Sequence, residues 1–272
     1  MYIIHARLLN VLNDEPLDSV DHHVAAVMLR HISELSDLSI GELADACAIS
    51  KSTLSKFVRR LGFEDYVDFK LEARRQREKE IYIRDKKTIN ITDYLQQQGR
   101  DAYLVALNDD IRLLFDGAND AVITHLVHDI HRFPKIAAFG EGYSETACLN
   151  LQIKMSYYQK FIYTTRNDIV QTDYIERADA DTLILVISNS GRFVSSYAHR
   201  EGAPEKSCFD RSRARVYLIT SNPSMKEDPR IFECILLRYS HDVQNHPVLF
   251  QLLIEQIALC YQKVYGFPQE RP

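Results

Sequence analysis

Three serines and three glycines sit at two places where a short apolar run gives way to a helical pattern. At the first, IAAF (136–139) runs into Gly140-Glu141-Gly142-Tyr143-Ser144. At the second, LILVI (183–187) runs into Ser188-Asn189-Ser190-Gly191. A glycine-rich turn that opens a helix presents backbone N–H groups and the positive end of the helix dipole, and both favour an anion. Hydroxyls, a carboxamide and free N–H groups around a glycine make a phosphate cradle that needs no metal. Gly142, Ser144, Ser188, Asn189, Ser190 and Gly191 are therefore the candidate ligands of an anionic effector. A dinucleotide site needs Gly or Ala at the sixth position of the first motif. Glu145 stands there and would crowd the helix–sheet contact, so neither NAD nor any other cofactor is expected.

A third constellation lies in IGELADACAISKSTLSKFV (40–58). Ala44 lets two helices approach closely, and Ala48 occupies a tight turn between them. Leu43, Cys47, Ile49, Leu54 and Phe57 form the wedge. At 100° per residue, Phe57, Val58 and Leu61 fall within about 60° of Leu54, with Ser52, Ser55, Lys56 and Arg59 on the opposite face. Hydroxyls and long cations reach base edges and phosphates, and no carboxylate on that face repels the backbone. Lys51, Ser52, Thr53, Ser55, Lys56 and Arg59 are the candidate contacts to double-stranded DNA. The competing reading is a helical hairpin with a solvated charged face. Charge weighs against it. The chain carries a net charge of -5, yet residues 51–87 hold twelve bases against seven acids, with Arg74, Arg75 and Arg77 extending the basic block.

Other chemistry is thinner. His125, His128 and His131 span about 120° of one helix, too wide an arc for one ion, so a solvated face is expected and no metal site. His22 and His23 point different ways. No G-x-S-x-G elbow, Walker lysine motif or Ser/His/Asp signature is present. Glu141 and Glu145 flank the proposed crevice and read as surface-turn carboxylates, since nothing identifies a paired acid or base for aldose–ketose proton transfer. No catalytic residue is assigned.

These residues need two kinds of scaffold. At 272 residues the chain exceeds what one core usually serves, and two domains are expected. The first eighty residues read as helices, with Ser39 and Ser50 as caps and Gly62 as a stop. The basic run Arg74–Lys79 is expected to end the last of these helices, with a polar linker around residues 81–92. Beyond about Ile91 come two helical segments. Apolar runs at 136–139, 161–164, 183–187, 216–220 and 233–237 then alternate with helices, and an apolar helix closes the chain from Pro247 to about Tyr265. The fold class is an all-α N-terminal helix-turn-helix domain (1–80), a linker and connecting helix (81–104), and an α/β domain (105–272) with a doubly wound parallel five-stranded sheet. In the strand order 2-1-3-4-5, Ser144 and Ser190 face one crevice at the switch point. The closing helix serves as sheet cover or as a subunit interface. No run of 18 apolar residues exists, and no membrane partner is expected. The N-terminus lacks the features of a secretory signal, and five scattered cysteines suit reduced thiols in the cytoplasm.

The stretch SIGELADACAISKSTLSKFVRRLGFEDYVDFK (39–70) resembles the N-terminal domain of RpiR-type bacterial transcription regulators. The shared features are Leu43-Ala44, Ile49-Ser50, Thr53, Phe57-Val58-Arg59, Leu61-Gly62-Phe63, Tyr66 and Phe69-Lys70. Residues 105–265 resemble the sugar isomerase (SIS) domain of sugar-phosphate isomerases and of those regulators. The resemblance implies Ser144, Ser188, Asn189 and Ser190 as phosphate ligands. Phe193 replaces a threonine common in the family, and its ring is expected to narrow or line the pocket. Asn150 replaces an aspartate, and Arg192 is available to supply charge. The implied function is a cytoplasmic transcription regulator that senses a phosphosugar effector and works as a homo-dimer or tetramer on operator DNA. The alternatives are a sugar-phosphate isomerase with a helical extension, and a regulator whose ligand-free SIS domain serves only for assembly.

Overall fold

The computed structural model describes residues 3–84, 89–195 and 207–267. The described residues up to 84 form one compact unit and those from 89 onward a second.

The first unit is five helices: α1 (Ile3–Asp14), α2 (Val20–Arg30), α3 (Ile40–Ala46), α4 (Lys51–Arg60) and α5 (Tyr66–Arg84). Their starts are written in the caps. Ser39 and Glu42 form a reciprocal capping box on α3, and the Ser50 hydroxyl accepts the Thr53 N–H at 3.1 Å on α4. α3 ends in a Schellman turn. The Ile49 N–H donates to the Ala44 carbonyl and the Ala48 N–H to that of Asp45, both at 3.0 Å. The residue at its left-handed position is Ala48, at φ 53°. The same turn closes α4, with glycine in that place: Gly62, at φ 87°. Leu8, Val24, Met28, Leu43, Leu54 and Phe57 form the core of the unit. α5 runs through the basic stretch that was expected to end it, because no glycine or proline interrupts residues 64–98. Residues 85–88 of the expected linker lie outside the described residues.

The second unit opens with α6 (Ile91–Leu114), broken at Gly99, and α7 (Asp120–Arg132). The α/β alternation follows: β1 (Lys135–Gly140), α8 (Tyr143–Ser156), β2 (Ile162–Tyr163), α9 (Asp168–Arg177), β3 (Thr182–Ile187), α10 (Arg192–Ser195), α11 (Cys208–Arg211), β4 (Arg215–Thr220), β5 (Glu233–Leu236) and α12 (His246–Tyr265). The five strands are all parallel, in the order β2-β1-β3-β4-β5. Side chains alternate between two cores. Leu183, Leu185 and Ile187 of β3 face the layer of α7, α8 and α12, while Ile184 and Val186 face that of α9 and α11. The helix expected after β3 is described only as α10 and α11, since residues 196–206 lie outside the described residues. Among the described residues no helix is long and apolar enough to cross a membrane.

α12 opens at His246-Pro247, where proline suits the first turn. The His246 ring packs edge-on to Tyr143 and Phe250, at 5.8 and 5.6 Å between centroids. Its buried Nδ1 has no hydrogen-bond partner among the described residues. Burial pushes the His246 pKa down from 6.5 to about 4.

Two outcomes follow from these local conformations. Ala48→Gly removes left-handed strain worth roughly 1–2 kcal/mol, less the extra unfolded-state freedom of glycine. The first unit should gain about 1 kcal/mol, read as a higher denaturation midpoint. For His246 the unfolded chain binds a proton below pH 6.5 that the folded chain refuses down to about pH 4. Stability is therefore lost as pH falls through that window, at no more than about 1.4 kcal/mol per pH unit from this group. In urea titrations, His246→Phe should show a shallower fall between pH 6.5 and 4 than the unsubstituted chain.

Candidate functional site

Gly140 sets the crevice. It pairs in register with Ile187 of β3, so the turns after β1 and β3 leave the sheet at the same level on neighbouring strands. A Cβ on Gly140 would lie 2.6 Å from the Ser144 Cβ and 2.9 Å from the Ile187 carbonyl oxygen. Only glycine lets the first turn of α8 come this close to the sheet. Ser144 is buried at the base of that turn, and Gly142, at φ 62°, is the N-cap of α8 without a side-chain cap. The sheet thus brings Ser144 and the 188–191 turn to one edge.

The second turn is held from below and from the side. The Ser188 N–H donates to the Ile219 carbonyl at 2.9 Å, and its hydroxyl accepts the Phe193 N–H at 3.4 Å. The Asn189 carbonyl accepts three donors: the Ser221 N–H and hydroxyl, both at 2.8 Å, and the Thr220 hydroxyl at 3.0 Å. Asn222 Nδ2 donates to the Ser190 carbonyl at 3.3 Å. Gly191 sits at φ 76° against Met225, whose Cγ would lie 2.6 Å from an added Cβ. Ser190 remains solvent-exposed at the rim. The supporting triplet Thr220-Ser221-Asn222 escaped the sequence reading, although it is a hydroxyl-rich stretch at the end of an apolar run like the other two. Tyr239 escaped it as well. Its hydroxyl donates to Asn189 Oδ1 at 2.6 Å, which leaves Asn189 Nδ2 without a partner among the described residues.

Three expectations are corrected here. Phe193 does not line the crevice. It is 3% exposed and packs into the α9–α11 core, edge-on to Phe209 at 6.2 Å, because α10 turns that position toward the sheet. Glu145 is not a surface carboxylate. It lies half-buried beside Arg166, 3.6 Å away, and burial pushes its pKa up against the pull of that guanidinium. The histidine row is not merely solvated. His125 meets Glu233 at 3.0 Å, His128 the Tyr265 hydroxyl at 2.7 Å and His131 the Tyr261 hydroxyl at 3.0 Å, so the row fastens α7 to β5 and α12. Asn150 donates to Gln251 Oε1 of α12 at 2.8 Å.

On the helical unit, α4 buries Leu54, Phe57 and Val58, with Leu61 buried at its C-cap, and turns Lys51, Ser52, Lys56 and Arg59 to solvent, with Thr53 and Ser55 half-exposed. The Ser52 and Thr53 hydroxyls lie 2.9 and 2.8 Å from the Ser50 hydroxyl, so the cap fixes their directions. Several other bases are already engaged. Arg60 pairs with Asp21, Arg77 with Asp37, and Arg75 lies 3.6 Å from the buried Glu72. Lys51, Lys56 and Arg59 engage no carboxylate among the described residues. His23 is tied to the Cys47 carbonyl at 3.1 Å and braces the turn.

Residues 9–80 match the helix-turn-helix domain of the rpiR family. A relative described as an uncharacterized HTH-type transcriptional regulator in the aarA 3′ region of Providencia stuartii is 24% identical over 178 residues, 64% of this chain and 57% of that protein. The HTH-type transcriptional regulator HexR of Pseudomonas aeruginosa is 23% identical over 182 residues, 65% of this chain and 62% of that protein. The matched stretch thus spans about three fifths of the length of these curated relatives. Among solved structures, the Vibrio vulnificus NanR protein, complexed with ManNAc-6P, superposes with a TM-score of 0.50 at 17% identity, over 96% of this chain and 92% of that one. That likeness is one of fold. The helical unit of this chain carries a helix-turn-helix domain of the rpiR family, followed by an α/β unit with the sheet of a doubly wound fold.

Proposed function

We propose that the chain is a transcription regulator in which α4 reads operator DNA and the crevice of the α/β unit holds the phosphate of a sugar phosphate. Residues 1–80 form the DNA-binding domain, 81–104 the linker and connecting helix, and 105–272 the effector domain. Lys51, Ser52, Thr53, Ser55, Lys56 and Arg59 contact DNA; Gly142, Ser144, Ser188, Asn189, Ser190 and Gly191 hold the effector. The observation that carries the reading is the pair of serine turns at one level of the sheet edge, in a chain whose first unit is an rpiR-type helix-turn-helix domain. Hydroxyls and N–H groups supply donors there, the chemistry a phosphate takes. The sugar phosphate named with NanR is of that chemical class. The protein acts in the cytoplasm and not as an enzyme. It works as a homo-dimer or tetramer, since groove-reading helices act in pairs on related half-sites. The outer faces of α8 and α12 offer Leu149, Ile153 and Leu259 to a second copy, at 38%, 54% and 50% exposure.

Two measurements test this. Lys56→Ala with Arg59→Ala should weaken operator binding by a few kcal/mol and flatten its salt dependence. Unchanged binding by a folded variant refutes the α4 assignment. In calorimetry against a phosphosugar panel, Ser190→Ala should lower affinity at least several-fold, as expected for one charge-assisted hydrogen bond. Equal binding by the variant, or steady turnover of any phosphosugar by the purified protein, rejects the effector reading.

A further inference from the structure

We propose that residues 237–246, between β5 and α12, are a clasp that couples the anion crevice to the segment arriving from the DNA-reading unit, with Tyr239 as its positioning residue. The inference rests on the reading of the crevice as an anion site and adds how occupancy leaves it.

The clasp has three anchors along one short stretch. At the crevice, the Tyr239 hydroxyl donates to Asn189 Oδ1 at 2.6 Å. That bond orients the carboxamide so that Nδ2 is the group left for an anion. In the middle, the Ser240 N–H and hydroxyl both donate to Asp110 Oδ1 at 2.8 Å, and Asn245 Nδ2 donates to Asp110 Oδ2 at 2.8 Å. Asp110 and Asn245 are both fully buried. Buried carboxylates persist only where donors satisfy them, so these bonds make the stretch one body with α6. At the far end, Val243 bridges Ile89 in parallel. The Ile89 N–H donates to the Asp242 carbonyl at 3.0 Å and the Gln244 N–H to the Ile89 carbonyl at 2.9 Å. Ile89 is the first described residue after α5 of the DNA-reading unit, four residues of linker intervening.

An anion at the 188–191 turn recruits Asn189 Nδ2 and thereby tightens the Asn189–Tyr239 bond. Tyr239 lies four residues from the Ile89 bridge, on a stretch that Asp110 prevents from yielding in the middle. The restraint therefore reaches the linker. An empty crevice leaves Asn189 freer and the bridge looser.

Hydrogen exchange on the full chain tests this, with Tyr239→Phe, which removes one oxygen and keeps the ring. Without ligand, the Ile89 and Gln244 amides should exchange roughly tenfold faster in the variant, the effect of losing one good hydrogen bond, while β3 and β4 amides keep their protection. With N-acetylmannosamine 6-phosphate or inorganic phosphate at saturation, both amides should slow in the unsubstituted chain, and Ile89 should not respond in the variant. Equal Ile89 exchange in the two ligand-free proteins overturns the clasp. A probe that binds without slowing Ile89 overturns the coupling and leaves the crevice reading standing. Failure of both probes to bind counts against the crevice reading alone, and the ligand-free comparison still decides the clasp.

Discussion

The close approach of α8 to the sheet at Gly140 is the contact on which the rest of the α/β unit depends. There the helix meets bare backbone, with Ser144 Cβ and the Ile187 carbonyl both inside the space a methyl group would fill. This depth puts the first turn of α8 beside the end of β3 instead of above it. The turns that open α8 and α10 then share one edge of the sheet. A side chain at position 140 would lift α8, part Ser144 from the 188–191 turn and disturb the α8–α12 packing behind it.

The second turn is rigid for a different reason. Its backbone is held by the neighbouring strand's turn, through the three donors on the Asn189 carbonyl and the Asn222 amide on that of Ser190. Backbone groups that would point idly into the crevice are consumed from behind. The Ser190 side chain stays exposed and Asn189 Nδ2 has no partner among the described residues. For the proposed anion site this is preorganisation: ordering is completed on folding, and an anion would not have to supply it. Phe193 contributes from beneath, since its ring fills the α9–α11 core under the turn.

How much of this was legible in the sequence follows from the range of each interaction. Strands buried on both faces show as unbroken apolar runs, which is why IAAF, LILVI, VYLIT and ECILL located β1, β3, β4 and β5. Caps and turns act within six residues, so Ser39, Ser50 and Ala48 could be placed from spacing alone. The partners of His125, Tyr239 and Asp110 are 108, 50 and up to 135 residues away, and no local pattern encodes them. The direction of Phe193 was equally hidden, because a helix of four residues has too little periodicity to declare its buried face. Charge counting does not separate bases that meet a partner from bases that stay open. Within the basic block, Arg60 reaches Asp21 of α2 and Arg77 reaches Asp37, while Arg75 lies beside Glu72 on α5 itself.

That partition bears on how such a chain acts with a net charge of -5. Lys51, Lys56 and Arg59 of α4 engage no carboxylate among the described residues, so in the proposed reading the helix that would meet DNA carries cations of its own. On that proposal, few phosphate contacts would give a shallow salt dependence and modest non-specific affinity, and specificity would rest on geometry, including the spacing of two copies. On the proposed function, such a regulator would need only a small push to release its site. Coupling energies between sites typically run 1–3 kcal/mol, and a net hydrogen bond supplies about 0.5–1.5 kcal/mol. The bonds from Asn189 through Tyr239 and Asp110 to Ile89 are therefore of the right size. On the proposed clasp, gaining or losing two of them would shift the equilibrium by as much as an effector must, without any rearrangement of the sheet.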